Sequence, residues 1–444
     1  MPDLPDLCRV AVDAAESGEA VEAYAEESRH TEASALRGEV EGLEFAESRG
    51  VGVRVIRDGR LGYAWAADPD ADEVREIVRR ARENAALAGP DEHQVLPEPA
   101  AWEPIPALFR EASAAVPPEL KTKLALDLEA RAITRDPRVT KIDEAQVGDA
   151  VSRVAIASTA GVEAEYRRTD AWCLAVTLAV EGDETQTGFS FRIARGLDEL
   201  AWEEVADEAV ERGVRMLGAD KPPTARVPVI LDPFAAMSFL GVLAGALSAD
   251  AVQKGRSLFA NLVGEQLGSD LVMLVDDGTN VDGPGAAPFD DEGVPSGRTE
   301  LFTKGVLNGF LHDAYTAHKG GTVSTGNGKR GYRSAPGVGT SNFYLDAGTS
   351  SREDLLRRAD GGVLIQDVSG VHSGANPISG EFSVGATGLR IAGGEPAEPL
   401  REMTIASTLS DMLAGITGVG DDLRFFSSVG TPSVLIGEMT LAGV

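Results

Sequence analysis

The sequence is poor in cysteine, histidine, lysine and aromatic side chains, and each scarcity removes a class of function. Cys8 and Cys173 are its only cysteines and form no CxxC pair, so neither a disulfide framework nor a thiolate zinc site is available. The five histidines (His30, His93, His312, His318 and His372) show no HExxH or HExxxH spacing. His312 and His318 are six residues apart and fall on different sides of a helix, so no zinc-ligand set is grouped along the chain. Lysine is scarce (8 against 33 arginines), and 71 acidic against 41 basic residues give a formal net charge of -30. That balance excludes non-specific binding to nucleic acid or an anionic membrane, which needs clustered cations. No apolar run reaches the roughly 18 residues that span a bilayer, and MPDLPDLCRV is not a basic segment followed by an apolar one. A soluble cytoplasmic protein is the expectation. Aromatics are 5% of 444 residues but hydrophobic residues are 43%, so any core is built mainly from Ala, Val and Leu, and the length suggests two domains.

What is present changes texture near the middle. In the first half, residues 4–17 read as an amphipathic helix. Alternating runs at 24–39 and 50–66 read as strands, with a hairpin turn at Arg57-Asp58-Gly59-Arg60. Residues 70–87 form a helix with acids at its start and Gly89-Pro90 as its stop. A long connection follows over 89–118, then a helix from Pro117-Pro118 to about residue 135. Three or four long strands cover 139–193 with a turn at Glu181-Gly182-Asp183, and a helix covers 197–217. Pro222 and Pro223 remove backbone donors and hold the chain extended, so 218–224 is the domain boundary. Beyond it, glycine-separated apolar runs at 227–231, 271–275, 361–368 and 434–441 suit a β-rich domain with helices at 234–248, 351–359 and 403–416. The expected fold class is α+β. An N-terminal α/β domain of long antiparallel strands and helices occupies 1–220, and a C-terminal β-rich, barrel- or sandwich-like domain occupies 225–444. No internal repeat of 20–50 residues is found.

The acid is unevenly spread. Residues 1–222 carry a net -20 and residues 223–444 a net -10. Within the second half, 301–345 holds Lys304, Lys319, Lys329, Arg330 and Arg333 against Asp313 alone, a net of +4. Gly326-Asn327-Gly328-Lys329-Arg330-Gly331 spells GxGxxG but follows no apolar strand and opens no helix, so it is not a dinucleotide loop. The acid pairs Asp276-Asp277, Asp290-Asp291 and Asp421-Asp422 have turn-forming neighbours, which favours turns over acid–base work. Cys173 lies in an apolar run and reads as an inert buried thiol. The segment 369–383 is different: it packs His372, Ser373, Asn376, further hydroxyls and several glycines just after an apolar strand, as a binding loop does.

Those same stretches carry a resemblance. Asp313 to Gly320 (DAYTAHKG), Ser324 to Asn327, Pro336, Ser341-Asn342 and the run from Gly370 to Ala386 (GVHSGANPISGEFSVGA) resemble the TldD/PmbA family, on its PmbA (TldE) branch. Gly394-Glu395, Ile405-Ala406 and Asp411 extend the likeness, and 47–66 matches in the order of its elements. The resemblance implies an N-terminal α/β domain, a C-terminal β-rich domain and a dimer enclosing a cleft. It also implies a heterodimeric metallopeptidase whose TldD-type subunit carries zinc on HExxxH, and whose substrates are small or unfolded peptides that it degrades or matures. Gln253-Lys254-Gly255 is similar to the segment after the metal helix, and counting back puts the HExxxH positions on Leu240, Gly241 and Gly245. None of these is a metal ligand.

The expectation is therefore a subunit without a metal or catalytic residues of its own, with zinc in a TldD-type partner. It would shape the substrate channel and order that partner. Lys319, Lys329, Arg330 and Arg333 are the candidate holders of a peptide's carboxylates, and His372, Ser373 and Asn376 of its backbone. Two alternatives stay open: a homodimeric peptide-binding module without chemistry, and a stand-alone peptidase or peptide-tailoring enzyme centred on His372, Ser373 and the basic island.

Overall fold

Alternation of small apolar and polar residues in the first half produces strands of unusual length, and positive-φ residues turn them back. The computed structural model describes residues 2–443. The first half runs α1 (Leu4–Asp13), β1 (Ala20–Leu36), β2 (Glu39–Arg57), β3 (Arg60–Ala67), α2 (Ala71–Leu87) and a single helical turn α3 (Glu111–Ala114). It continues with α4 (Pro118–Arg135), β4 (Val139–Ser158), β5 (Glu163–Glu181), β6 (Glu184–Ala194) and α5 (Trp202–Val214). The two sequence-predicted hairpins are there: Arg57 pairs with Arg60 around Asp58 and Gly59, and Glu181 pairs with Glu184 around Gly182. Asp70 caps α2, accepting from the Asp72 and Glu73 amides while the Glu73 side chain takes the Asp70 amide.

All six strands form one antiparallel sheet in the order β3-β2-β1-β4-β5-β6. The order reads the same from either edge because one plan is used twice: helix, three-strand meander, helix, in residues 4–87 and again in 118–214. The unit is far longer than the 20–50 residues over which the sequence shows no repeat. Both copies seat their last helix on a strand glycine. A Cβ on Gly62 would lie 1.9 Å from the Ala81 carbonyl oxygen, and one on Gly188 would lie 1.9 Å from that of Ala209.

Side chains alternate faces along each strand, so the sheet has two jobs. On one face Val21, Ala23, Val51, Val53 and Val55 pack under α1 and α2. Further along that face Ala33, Ala35, Val147, Cys173 and Ala175 pack under α4 and α5. On the other face Tyr24, Val154 and Ile156 meet Phe289 and Tyr332 of the second half.

The second half begins with β7 (Ala225–Leu231), α6 (Pro233–Ala246) and α7 (Ala249–Gln253), followed by β8 (Leu274–Asp277), β9 (Arg298–Thr303) and β10 (Val306–Leu307). Next come α8 (Ala314–Gly320), β11 (Gly328–Lys329), β12 (Gly337–Val338), β13 (Phe343–Leu345) and α9 (Arg352–Arg358). Then follow β14 (Val363–Ser369), the single turn α10 (Val371–Gly374), β15 (Glu381–Ala392), β16 (Glu395–Thr408) and α11 (Leu409–Ala414). The last elements are β17 (Ile416–Val419), β18 (Arg424–Phe425), β19 (Val429–Thr431) and β20 (Val434–Ala442). Strands β16-β15-β14-β7-β20 pair in turn, and β16 pairs back to β20, which closes a five-stranded barrel. A second sheet, β10-β9-β8-β13-β19-β18, stands beside it. Phe239, Leu240 and Leu243 of α6 share one core with Phe302 and Phe343 of that sheet and Ile405 of the barrel. With 41% strand against 24% helix and both types in each half, the fold is α+β.

Three local expectations change. The predicted helix over 403–416 is strand to Thr408, because closing the barrel pairs Thr404, Ile405 and Ala406 with β20; only Leu409–Ala414 is helical. The helix predicted from 197 begins at Trp202, after a 3₁₀ turn at Leu197–Glu199. Asp276 and Asp277 are buried strand residues of β8 rather than a turn.

The glycine seats are testable. Gly188→Ala drives a methyl into the α5 backbone and is expected to cost about 1–3 kcal/mol, the usual range for overpacking. A lowered urea midpoint and thermal midpoint would show it.

Candidate functional site

Charged residues that interrupt apolar strands mark the seam between the halves. Glu22 and Arg54 are cross-strand partners on β1 and β2, on the face turned to the second half. Arg54 Nη2 donates to Glu22 Oε2 at 2.8 Å and to Glu292 Oε1 at 2.7 Å, while Glu22 Oε1 accepts from Arg330 Nη2. These side chains are at most 3% exposed. Burial opposes ionisation of Glu22, but Arg330 and Arg54 outweigh it and hold the carboxyl below its ordinary range. The Arg330 guanidinium also lies over the Tyr24 ring, 4.8 Å from its centroid. Arg330, expected to hold a peptide, is thus a seam residue whose side chain reaches no solvent.

The seam rests on a knot of buried carboxyls. Asp290 accepts from the Glu292, Val294 and Gly328 amides, and Asp276 accepts from the Ser341 amide and from Asn327 Nδ2 at 2.7 Å. Burial, then the neighbouring Glu292, pushes the Asp290 carboxyl above the usual range, and burial pushes that of Asp276 up to about 6. A Cβ on Gly328 would meet Glu292 Oε2 at 2.6 Å. The GxGxxG letters therefore record a backbone wrapped round two carboxyls: Gly326 supplies a φ of 74° and Gly328 the close approach.

The remaining candidates are spread, starting at α8. Its N-cap Asp313 accepts from Thr316, and its exposed end carries His318 and Lys319. Lys319 Nζ donates to Tyr315 Oη at 3.3 Å, Tyr315 Oη donates to Asp91 at 2.9 Å, and the His93 and His318 rings meet edge to face at 5.5 Å. The long 89–118 connection is thereby docked on the site. Gln253 Nε2 donates to the Thr316 carbonyl at 2.7 Å, and the Leu258 amide donates to the Pro377 carbonyl at 3.1 Å. Helix α8, the turn at 254–258 and the loop at 370–380 therefore stand side by side. In that loop Asn376 Oδ1 accepts the Ile378 and Ser379 amides, and Ser373 Oγ donates to the Gly370 carbonyl. These two polar groups serve their own loop, whereas the His372 side chain is exposed and makes no hydrogen bond or ion pair among the described residues. Val323 and Ile378, 79% and 52% exposed, add apolar surface among the cations. Lys329 is half-buried on β11, while Arg333 lies 5.4 Å over Trp65 of β3, on the other side of the seam. The basic island is thus split: Lys319 faces the α8 surface, Arg333 the rim of the N-terminal sheet, and Arg330 the seam.

The structure does not offer zinc a place on α6. Leu240 is a core residue, and Gly241 and Gly245 lie on the exposed side with no atom within 4 Å of where a Cβ would stand. Among the described residues no group of three His, Cys, Asp or Glu side chains is arranged to hold a metal ion. Cys8 and Cys173 are buried thiols pushed up to about 12 by desolvation. The seam residues Glu22, Arg54 and Glu292 were not singled out from the sequence, although a lone charge in Ala20-Val21-Glu22-Ala23 and in Val53-Arg54-Val55 was a readable signal.

Two outcomes follow from these contacts. Glu22→Gln removes the charge that separates two buried guanidinium groups and is expected to cost about 3–5 kcal/mol in urea unfolding, whereas Arg333→Ala costs about 0.5 or less. Asp276, at about 6 rather than 3.8, holds its proton more tightly folded than unfolded. Its contribution is therefore complete below about pH 4 and is lost as pH rises towards 6, up to about 3 kcal/mol at about 1.4 per pH unit. Asp276→Asn should flatten the wild-type fall in urea midpoint over that window.

Known proteins share this fold along nearly its whole length. Residues 224–443 match the profile of the PmbA/TldA metallopeptidase C-terminal domain, 111–217 that of the central domain and 21–85 that of domain 1. The metalloprotease PmbA of Escherichia coli O157:H7 is 27% identical, over 91% of this chain and 88% of that one. A metalloprotease TldD homolog of Buchnera aphidicola is 24% identical, over 90% and 87%. The crystal structure of TldE from Thermococcus kodakarensis superposes with a TM-score of 0.90 at 26% identity, covering 99% of each chain. With three profiles matched in order along its length, the chain belongs to the PmbA/TldD metallopeptidase family.

Proposed function

We propose that this chain is the zinc-free, TldE/PmbA-type subunit of a two-subunit cytoplasmic peptidase, and that it holds peptide substrate while a TldD-type partner supplies the metal. The observation that carries this reading is α6: at the positions inferred for the family's HExxxH, this chain has a core leucine and two exposed glycines. Leucine and glycine side chains donate no electron pair, so no hydrolytic step is derived for this chain alone. The α8 surface supports the holding role. Lys319 at its end is exposed, Lys329 is half-buried on β11, and across the seam Arg333 is exposed over Trp65; among the described residues none of the three has a carboxylate within salt-bridge distance. The segment 253–258 links α8 to the loop bearing exposed His372, Ser373 and Asn376, and with exposed Val323 and Ile378 they offer cationic and apolar surface suited to extended polypeptide. A homodimeric peptide-binding module has the same surface and differs in needing no zinc subunit.

Mixing the purified chain with a zinc-loaded TldD-type subunit is expected to give a 1:1 complex by light scattering and peptide hydrolysis that neither chain shows alone. Lys319→Ala with Arg333→Ala should lower kcat/KM of the complex about tenfold, about 1.4 kcal/mol, without loss of assembly. Hydrolysis by the isolated chain after metal chelation, or no association at micromolar concentration, overturns the reading.

A further inference from the structure

The edge of β2 is the least finished part of the molecule. β3 covers only its second half, pairing Gly50 with Ala67 through to Arg57 with Arg60. Among the described residues, 39–48 pair with β1 on one side and with no strand on the other. Nearly all of them are exposed, including Val40 at 45%, Leu43 at 41% and Phe45 at 61%. A row of unpaired backbone donors and acceptors beside exposed apolar side chains is a template for another strand. The second copy of the repeated unit shows the contrast. There β6 likewise covers only the second half of β5, but the first half is engaged by the 89–118 connection, with the Thr169 amide donating to the Leu108 carbonyl at 3.1 Å. One edge is covered and its counterpart is left open.

Register and charge define what fits. The pairing with β1 shifts between Ser34 and Ala35 and leaves Glu41 bulged, so the regular free run is 42–48. Val40, Leu43, Phe45 and Glu47 oppose Ala35, Ala33, Thr31 and Arg29, on the face covered by α4 and α5. Gly42, Glu44, Ala46 and Ser48 occupy the other face. Across 39–48 there are four acids (Glu39, Glu41, Glu44, Glu47) and no base. A second copy would bring its own four acids to the pair and carries a net charge of -30, so edge-to-edge self-pairing is repelled. A strand with cations opposite Glu44 and Glu47 and apolar residues opposite Leu43 and Phe45 is complementary. Such a strand lies in line with β3, next to Ala67, and points at Trp65, whose ring packs against Tyr332 and carries Arg333.

We propose that the free edge at 42–48 is a docking rail for extended basic segments of the peptide substrate, added to the sheet as a further strand and aimed along β3 at Arg333. The proposal rests on the peptide-holding reading above and narrows the substrate class to segments that alternate cationic and apolar residues.

The test uses the isolated full-length chain and a fluorescein-labelled nonapeptide, KTKTVKVTK, read by anisotropy at low and high salt. Saturable binding that weakens with salt is expected, with the acidic analogue ETETVEVTE bound at least tenfold more weakly. Only one set of alternate peptide amides faces β2, so N-methylation of that set should weaken binding at least tenfold and N-methylation of the other set should not. Glu44→Lys with Glu47→Lys should weaken binding at least tenfold at an unchanged thermal midpoint. Equal binding by that variant, or equal loss from both N-methylated sets, overturns the proposal. So does an oligomeric state that changes on Leu43→Lys while peptide affinity does not, which would make a second copy the occupant. Neither hydrolysis nor assembly with a zinc subunit is read, so failure here leaves the two-subunit reading standing, and failure there leaves the rail to be judged by binding alone.

Discussion

Four buried charges decide how the two halves of this protein meet. Arg54 bridges Glu22 on its own sheet to Glu292 across the seam, and Arg330 returns from the second half to Glu22. Such a network is a weak source of net stability, because desolvating each ion costs several kcal/mol, but it is demanding about geometry. Apolar residues at the same places would allow the halves to slide; guanidinium and carboxylate groups that must meet at hydrogen-bond distance allow few arrangements. The surrounding rings, Tyr24, Phe289 and Tyr332, exclude the water that would otherwise loosen them. Because Arg330 belongs to the same loop as Lys329 and Arg333, fixing Arg330 also fixes where its neighbours emerge: Lys329 on the C-terminal side, Arg333 over Trp65 of the N-terminal sheet.

The acidity of the chain looks different at this depth. Much of the -30 is a solvated surface, yet Glu22, Asp276, Asp290 and Glu292 are almost wholly buried, and burial raises the carboxyls of the last three. A knot of carboxyls needs donors, and these come from backbone amides released by tight turns at Asp290-Asp291-Glu292-Gly293 and around Gly328. The glycine-rich stretch that spells a nucleotide motif is instead the price of wrapping backbone round those groups.

The sequence made the elements of the N-terminal half legible because its signals are local: the turns Asp58-Gly59 and Glu181-Gly182-Asp183, and the acids that open α2 at Asp70. What it could not show is set by distant pairing. The strand β16 carries helix-compatible residues from Arg401 to Thr408, and only its pairing with β15 and β20, which closes the barrel, makes them extended. The repetition of the αβββα plan has no letter-by-letter counterpart in the sequence, since small apolar residues satisfy it interchangeably; Gly62 and Gly188 are the matching positions that stand out. Arg330 illustrates the limit for function. Net charge along a segment says that cations are present, but which of them reaches solvent depends on a glutamate some 300 residues earlier.

Duplication and the seam together explain why one edge is open. Two copies of a three-strand unit joined through β1 and β4 leave two half-covered strands, β2 and β5, each with a free stretch ahead of its hairpin partner. The first half has one long connection, 89–118, and it is tied at Asp91 to Tyr315 of α8 and at Leu108 to Thr169 of β5. It touches the β2–β3 turn at Gly59 and then runs to β5, making no backbone hydrogen bond to residues 39–48, so the asymmetry follows the path of this connection. An open edge of this length would ordinarily invite aggregation, and the sequence answers with glutamates at 39, 41, 44 and 47 and a bulge at 41, which repel copies of the same chain. Those glutamates do not repel everything. They convert a general hazard into a selective surface, and the direction in which that surface runs, toward Trp65 and Arg333, joins it to the loops that the seam holds in place.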